Sequence, residues 1–214
     1  MFNVKLMSYS QLPAQSEFSN DLLQMVAYCA RVSNPSNQNN EATSQKLVEY
    51  LIKHKHWSPL EMVSVCMEID TTRDIARQIL RHRSFSFQEF SQRYADPTKD
   101  LSFVTRDARF QDTKNRQASV DIDETNEVHR RMSLIRKSRE VYDWAIDKGI
   151  AKEQARAVLP EGLTNSRMYV NGTLRSWIHY IDLRAGNGTQ KEHMEIAKAC
   201  GEVIHNIFPL DGLL

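Results

Sequence analysis

Residues 71–94 read TTRDIARQILRHRSFSFQEFSQRY, and the change of rhythm inside this stretch decides the expected fold. From Arg73 onward, Ile75, Ala76, Ile79 and Leu80 fall on one arc at 3.6 residues per turn. Arg73, Asp74, Arg77, Gln78, Arg81 and His82 fall on the other. This predicts a helix ending near Arg83, which would otherwise land on the apolar arc. Beyond it, Phe85 and Phe87 alternate with Ser84 and Ser86, and the period of two predicts a strand. Arg73 and Arg77 read as an ordinary solvated face. Arg81, His82 and Arg83 do not, because adjacent cations repel unless an anion lies nearby. A helix C-terminus compensates by only about 0.3–1 kcal/mol at exposed positions. The strand reads either as plainly amphipathic or as a wall offering hydroxyls, Glu89 and Arg93 to a polar, partly anionic ligand.

The rest of the chain extends this pattern. Phe2–Ser8 alternates weakly and predicts a strand, and Ser19–Arg31 predicts a helix with Ser19 as its N-cap. Residues 33–40, SNPSNQNN, form a polar loop, and Thr43–His54 is an amphipathic helix broken by WSPLE. Met62–Ile69 alternates Val63, Val65, Met67 and Ile69 with less apolar neighbours, as a strand does. Thr105–Asp121 has no clear period and reads as a long loop. Asp123–Lys148 predicts a long helix stopped by Gly149. A short helix over Lys152–Leu159, a strand at Arg167–Val170, and helices over Leu174–Leu183 and Gln190–Phe208 complete the chain. With no repeats and no evident boundary, the expectation is one α/β (α+β) domain over residues 1–214.

Composition narrows the function. The chain has 214 residues, 41% hydrophobic and 26% charged, an ordinary globular balance long enough for a proper core. No apolar run suits a membrane span, and the N-terminus does not resemble a signal peptide. Cys29, Cys66 and Cys200 are scattered without a CxxC, which fits a reducing compartment such as the cytoplasm. No zinc-ligand spacing is present, so no metal is expected. A formal net charge of +1 with no basic tail argues against a nucleic-acid polymer as partner. Neither GxGxxG nor a Walker A sequence occurs, and glycines number only seven. Any phosphate must therefore be gripped by side chains, which favours arginine.

LRSWIHYIDLR, residues 174–184, repeats the theme. Leu174, Trp177, Ile178 and Ile181 share one helix face, and Arg175, His179 and Asp182 share the opposite one. That polar stripe reads equally well as a salt-bridged surface or as a binding edge.

RHR, then SFSFQEF, then Ser91 with Arg93 two further on, resembles the signature of the flavin-dependent thymidylate synthases. The resemblance covers nearly the whole chain. CARVS (Cys29–Ser33) and HKHWSPLEM (His54–Met62) lie upstream, and QARAVLP and LRSWIHYIDLR lie downstream. It implies a mixed sheet with flanking helices, not a Rossmann fold. It implies dTMP made from dUMP, methylene-tetrahydrofolate supplying the carbon and NADPH reducing a bound FAD. It also implies a homotetramer with shared active sites. By the resemblance, Ser33, His56, Ser58, Glu61, Arg81, His82, Arg83, Glu89, Thr173, Leu174, Arg175 and His179 are flavin-binding positions. Gln78, Arg81, Glu89, Ser91, Gln92 (through its backbone), Arg93 and Arg184 resemble the dUMP pocket, with Arg156 reaching it from a neighbouring subunit. Arg184 resembles the arginine that activates the uracil ring. Members often carry Asn where Thr173 stands, leaving Asn171 as an alternative, and His before the Gln of a segment that here reads AGNGTQ.

None of the three cysteines falls in a matching block, and Cys29 and Cys66 read as core packing. Activation of the pyrimidine is then electrostatic, with Arg184 stabilising negative charge on the ring. Two other readings remain: a flavin oxidoreductase acting on another pyrimidine nucleotide, and a nucleotide- or RNA-binding module built from the Arg/Phe interleaving.

Overall fold

The structure is a computed structural model that describes residues 2–18, 21–107, 109–121, 126–186 and 188–209. In chain order its elements are β1 (Asn3–Tyr9), α1 (Leu22–Ala30), α2 (Ser44–Lys53), β2 (Ser64–Thr72), α3 (Arg73–Ile79) and β3 (Ser86–Glu89). Then come α4 (Pro97–Asp100), β4 (Arg109–Gln111), β5 (Ser119–Asp121), α5 (Asn126–Asp147), α6 (Lys152–Ala155), β6 (Asn165–Thr173), α7 (Leu174–Arg184) and α8 (Lys191–Ile207).

One four-stranded sheet, in the order β1-β2-β6-β3, organises the fold. Every pairing in it is antiparallel. The α/β class stands, with an antiparallel sheet where a mixed one was expected. The pairing explains the alternation seen in the sequence. Val65, Met67 and Ile69 of β2 and Met168 and Val170 of β6 project to one face and are fully buried. Glu68, Asp70, Arg167 and Tyr169 project to the other, where Arg167 holds Asp70 at 2.7 Å. The inner face is covered by Val26 of α1, Val48 of α2, Trp177 of α7 and Ile196 of α8. Each such side chain contributes roughly 1.5–3 kcal/mol by leaving water. The Trp177 indole N–H also donates to the Val65 carbonyl at 3.0 Å, pinning α7 to β2.

Several boundaries differ from expectation, each for a local reason. Helix α1 is capped by Asp21, whose carboxylate accepts from the amides of Leu23 and Gln24. Ser19, the expected cap, lies outside the described residues, as do residues 123–125 of the long helix. Helix α3 stops at Ile79, not near Arg83. Amide-to-carbonyl bonds from Arg81 to Gln78 and from His82 to Ile79 tighten the chain into a turn. Arg73, expected in solvent, is mostly buried, because Glu89 of β3 lies 3.6 Å away. The expected loop over 105–121 contains the β4–β5 hairpin. Gly149 ends α5 with a positive φ of 75°, as its position suggested.

Candidate active site

The site is built where β6 runs into α7. Thr173 is the N-cap of α7, with its hydroxyl accepting from the Ser176 amide at 3.4 Å. An Asn could make the same cap, so the substitution at this position preserves the local structure. The Ser176 hydroxyl donates to the Ser84 carbonyl at 3.2 Å, tying α7 to the RHR turn. Phe85 then lays its ring over Gly172 and against Trp177, with ring centroids 4.6 Å apart. A methyl group added at Gly172 would lie 2.6 Å from Cε1 of Phe85. Only glycine lets the ring sit there.

These contacts leave a cleft between the turn, the chain after α2, and α7. It holds a cavity of about 730 Å³ whose walls include Lys55, Trp57, Arg81, His82, Arg83 and His179. A second chamber of about 370 Å³ is lined by Glu61, Ser84, Thr173, Arg175, Ser176 and His179. The two share Ser84, Ser176 and His179. Of the residues expected at a flavin, the structure therefore brings together Glu61, Arg81, His82, Arg83, Thr173, Arg175 and His179. Ser33, His56 and Ser58 are exposed and line neither chamber, although Ser58 begins the same 3-10 turn that carries Glu61. Leu174 is fully buried in the core, backbone included, and lines neither chamber.

Electrostatics favour an anion here. Lys55, Arg81, Arg83 and Arg175 face the two chambers. The Arg175 guanidinium is held on the Glu61 carboxylate. Trp57 packs edge-on against His179 at 4.3 Å and adds a flat apolar wall. Lys55 was not apparent as a site residue in the sequence. Its backbone is left-handed, φ 61°, a conformation that costs a non-glycine residue roughly 1 kcal/mol or more. His82 accepts from Nε of Arg184 at 3.0 Å. Burial, then the Arg184 charge, pushes the His82 pKa down, so the neutral ring needed to accept is favoured.

The residues expected around the nucleotide do not meet in one cavity within a single chain. Glu89 accepts from the Ser166 hydroxyl at 2.7 Å. The Ser91 hydroxyl accepts from the Arg93 amide at 3.4 Å, and Arg93 pairs with Glu153 at 3.3 Å. That pair sets residues 91–94 beside the segment 152–158, which carries Arg156, and Lys152 adds a bond to the Tyr94 carbonyl. Gln92 is buried as a whole residue, with its side-chain amide nitrogen unpaired among the described residues, so the single chain does not expose the backbone expected to meet the nucleotide. Gln78 turns toward α8. There it meets Gln190 at 2.9 Å and His193 at 3.1 Å. His193 was missed in the sequence. The available signal was its phase on α8, in step with buried Ile196, Ala197 and Cys200; a histidine on such a face needs a buried partner.

The cysteines stand away from the cleft. Cys200 is fully buried, and burial pushes its thiol pKa up. Cys29 lies against Met25 in α1, half-buried rather than in the core. Cys66 is on the outer, half-buried face of β2 rather than in the core, and burial raises its pKa too. Among the described residues, no group of three or more His, Cys, Asp or Glu side chains could hold a metal ion. No helix among them is long and apolar enough to cross a membrane.

Fold and cleft together define an α/β protein with an arginine-lined cleft between the RHR turn and α7 and no glycine-rich phosphate loop. The family model described as "Thymidylate synthase complementing protein" matches residues 16–210, and the chain belongs to that family. It is 50% identical over 190 residues to a "Probable flavin-dependent thymidylate synthase" of Paramecium bursaria Chlorella virus 1, covering 87% of each chain. It is 48% identical over 189 residues to the flavin-dependent thymidylate synthase of a Synechocystis species, covering 86% of this chain and 85% of that one. Among solved structures, the UMP/dUMP methylase PolB from Streptomyces cacaoi, bound with 5-Br dUMP, superposes with a TM-score of 0.80. It is 26% identical, covering 97% of this chain and 91% of that one.

Proposed function

We propose that the chain, as one domain over residues 1–214, is a flavin-dependent thymidylate synthase. It converts dUMP to dTMP with FAD as bound cofactor, NADPH as reductant and methylene-tetrahydrofolate as carbon donor. The observation that carries this reading is the cation-lined cleft in which the RHR turn faces α7; Arg184 lines neither chamber itself but is held on His82, which does. The names of the relatives and the nucleotide in the solved methylase support it.

The residues present fit a flavin dinucleotide. Arginine forks suit its diphosphate, and Trp57 with His179 offers a flat surface for a ring system. Arg81, Arg83 and Arg175 would hold the phosphates, with Glu61 orienting Arg175 and Thr173 lining the same wall. A bound flavin would supply the electron pair for the reduction. The chain's own part is binding and polarisation. With Nε of Arg184 engaged by His82, its two terminal NH2 groups, unpaired among the described residues, are free to face the uracil ring. There they stabilise negative charge as the ring shares its N3 proton, which replaces activation by a cysteine. Ser91 is a ligand contact and not a nucleophile, since its hydroxyl accepts a backbone amide and, among the described residues, no base is hydrogen-bonded to it.

Arg156 reaching a neighbouring copy's nucleotide, and assembly as a homotetramer, agree with the scatter of Gln78, Glu89, Arg93 and Arg156 in one chain. Leu134, Val141 and Trp144, exposed apolar residues along α5, give such an assembly a surface to cover. A cytoplasmic setting suits three unpaired thiols.

The test is tritium release from dUMP labelled at carbon 5, with FAD, NADPH and methylene-tetrahydrofolate each omitted in turn. Release that requires NADPH and folate is expected. No release from folded, flavin-loaded protein would overturn the reading. Turnover of UMP but not dUMP would assign the cleft to another pyrimidine nucleotide.

A further inference from the structure

A file of polar side chains runs from the β4–β5 hairpin to the buried side of α7. Arg109 donates to Oε1 of Glu192, and Oε2 of Glu192 lies 2.9 Å from Nε2 of Gln190. Oε1 of Gln190 lies 2.9 Å from Nε2 of Gln78. Oε1 of Gln78 lies 3.1 Å from Nδ1 of His193, whose Nε2 lies 3.1 Å from the Tyr180 hydroxyl.

The polarity of this file is fixed from one end. A carboxylate only accepts, so Gln190 must turn its NH2 to Glu192 and its oxygen to Gln78. Gln78 must then turn its NH2 to Gln190 and its oxygen to His193. His193 must carry its proton on Nδ1, which leaves Nε2 to accept from Tyr180. No member can be reversed without placing two donors or two acceptors face to face. Burial would raise the Glu192 pKa, but its own backbone amide, Arg109 and Gln190 outweigh that and keep the carboxyl ionised. His193 is fully buried. Burial first, then Arg184 and His82, holds its pKa down to about 4, so the ring is neutral near pH 7.

We infer that His193 is a positioning residue: donating through Nδ1–H, it fixes which end of the Gln78 amide faces which way, and so the hydrogen-bonding pattern Gln78 presents to the nucleotide. This rests on the reading of Gln78 as part of the dUMP pocket. Neither relay neighbour, His193 nor Glu192, needs to touch the ligand. The relay also makes the hairpin's Arg109 part of nucleotide recognition at a distance, since Arg109 holds the carboxylate that sets the polarity.

Two measurements on the flavin-loaded protein test it. In ¹⁵N-histidine NMR without nucleotide, the His193 signals, assigned by their loss in His193→Asn, are expected to show the Nδ1–H tautomer. An Nε2–H ring would overturn the relay. In equilibrium binding of dUMP, His193→Asn retains an amide donor near the Nδ1 position and is expected to stay within about threefold of wild type. His193→Leu leaves the Gln78 oxygen without its donor and is expected to weaken binding by about 10–100-fold. Flavin content reports folding in each variant. Equal binding by the Leu and Asn variants, or a loss beyond tenfold in a flavin-replete Asn variant, would overturn the inference. If wild-type protein fails to bind dUMP, it is the synthase reading that falls, and the tautomer still decides the relay by itself.

Discussion

Nε of Arg184 donates to Nε2 of His82 at 3.0 Å, so the last residue of α7 is aimed by the middle residue of the RHR turn. The orientation of the arginine proposed to polarise the pyrimidine is thus set by a ring whose lowered pKa favours its neutral form. Arg184→Ala is expected to lower turnover by about 10²–10³-fold, the usual cost of losing one preorganised charge stabiliser. His82→Gln, whose amide oxygen can accept in place of Nε2, should retain more activity than His82→Ala. Ser91→Ala should keep measurable turnover in the same tritium-release assay. Total loss in a well-folded Ser91→Ala protein would restore the serine as a nucleophile.

Gly172 and Phe85 form a second dependent pair. Gly172→Ala drives a methyl group into the Phe85 ring and is expected to destabilise by about 1–3 kcal/mol, the range for overpacking a tight core. Combined with Phe85→Ala, it should cost less than the two single changes added together. Urea unfolding of the four proteins measures this. Simple additivity would mean that the ring does not depend on the missing Cβ.

Lys55 holds a left-handed backbone conformation beside the cleft. Lys55→Gly should stabilise the fold by up to about 1 kcal/mol by relieving that strain. It should also weaken flavin retention, because a cation facing the site is lost. Unfolding midpoints and flavin release on ultrafiltration separate the two effects. Unchanged flavin affinity would mean that the ammonium plays no part in binding.

Acidification should expose the buried histidines. His193 titrates near 4 in the fold and near 6.5 when unfolded. Between those values the unfolded chain binds more protons, so stability is full above pH 6.5 and falls as pH drops toward 4. The loss from His193 is about 3 kcal/mol. His82 and His179, both with lowered pKa values, add in the same direction. Asp74, Asp96 and Glu192 are also depressed, and lose their contribution only in the more acidic carboxylate range. Urea titrations at pH 7 and pH 4.5 should show the loss, and His193→Asn should flatten it. An equally steep dependence in that variant would assign the effect elsewhere.

What the sequence revealed, and what it hid, follows from how far each cause acts along the chain. Alternation at Val65, Met67 and Ile69, and the Arg175–His179–Asp182 stripe, were legible because each element shows its own period. The early end of α3 was not, because it depends on Phe85 settling over Gly172, on a strand far ahead in the chain. Arg73 was misplaced into solvent for the same reason: its carboxylate partner, Glu89, arrives on β3. The β4–β5 hairpin has strands too short to establish a rhythm. At the cleft, the RHR block, and Arg184 behind it on His82, could be named from the sequence, but Lys55 depends on a backbone angle. His193 depends on partners contributed by α3 and α7.

The two walls of the cleft share one support. β6 pairs with β3 along one edge, which holds the strand that follows the RHR turn, and its last residue caps α7. Any adjustment of that strand therefore moves β3, with the RHR turn before it, and the start of α7 together. Substitutions along β6 should shift affinity for both ligands in concert. Independent tuning is confined to rim positions such as Lys55 and Glu61, and there natural variation has room to alter one affinity without disturbing the other.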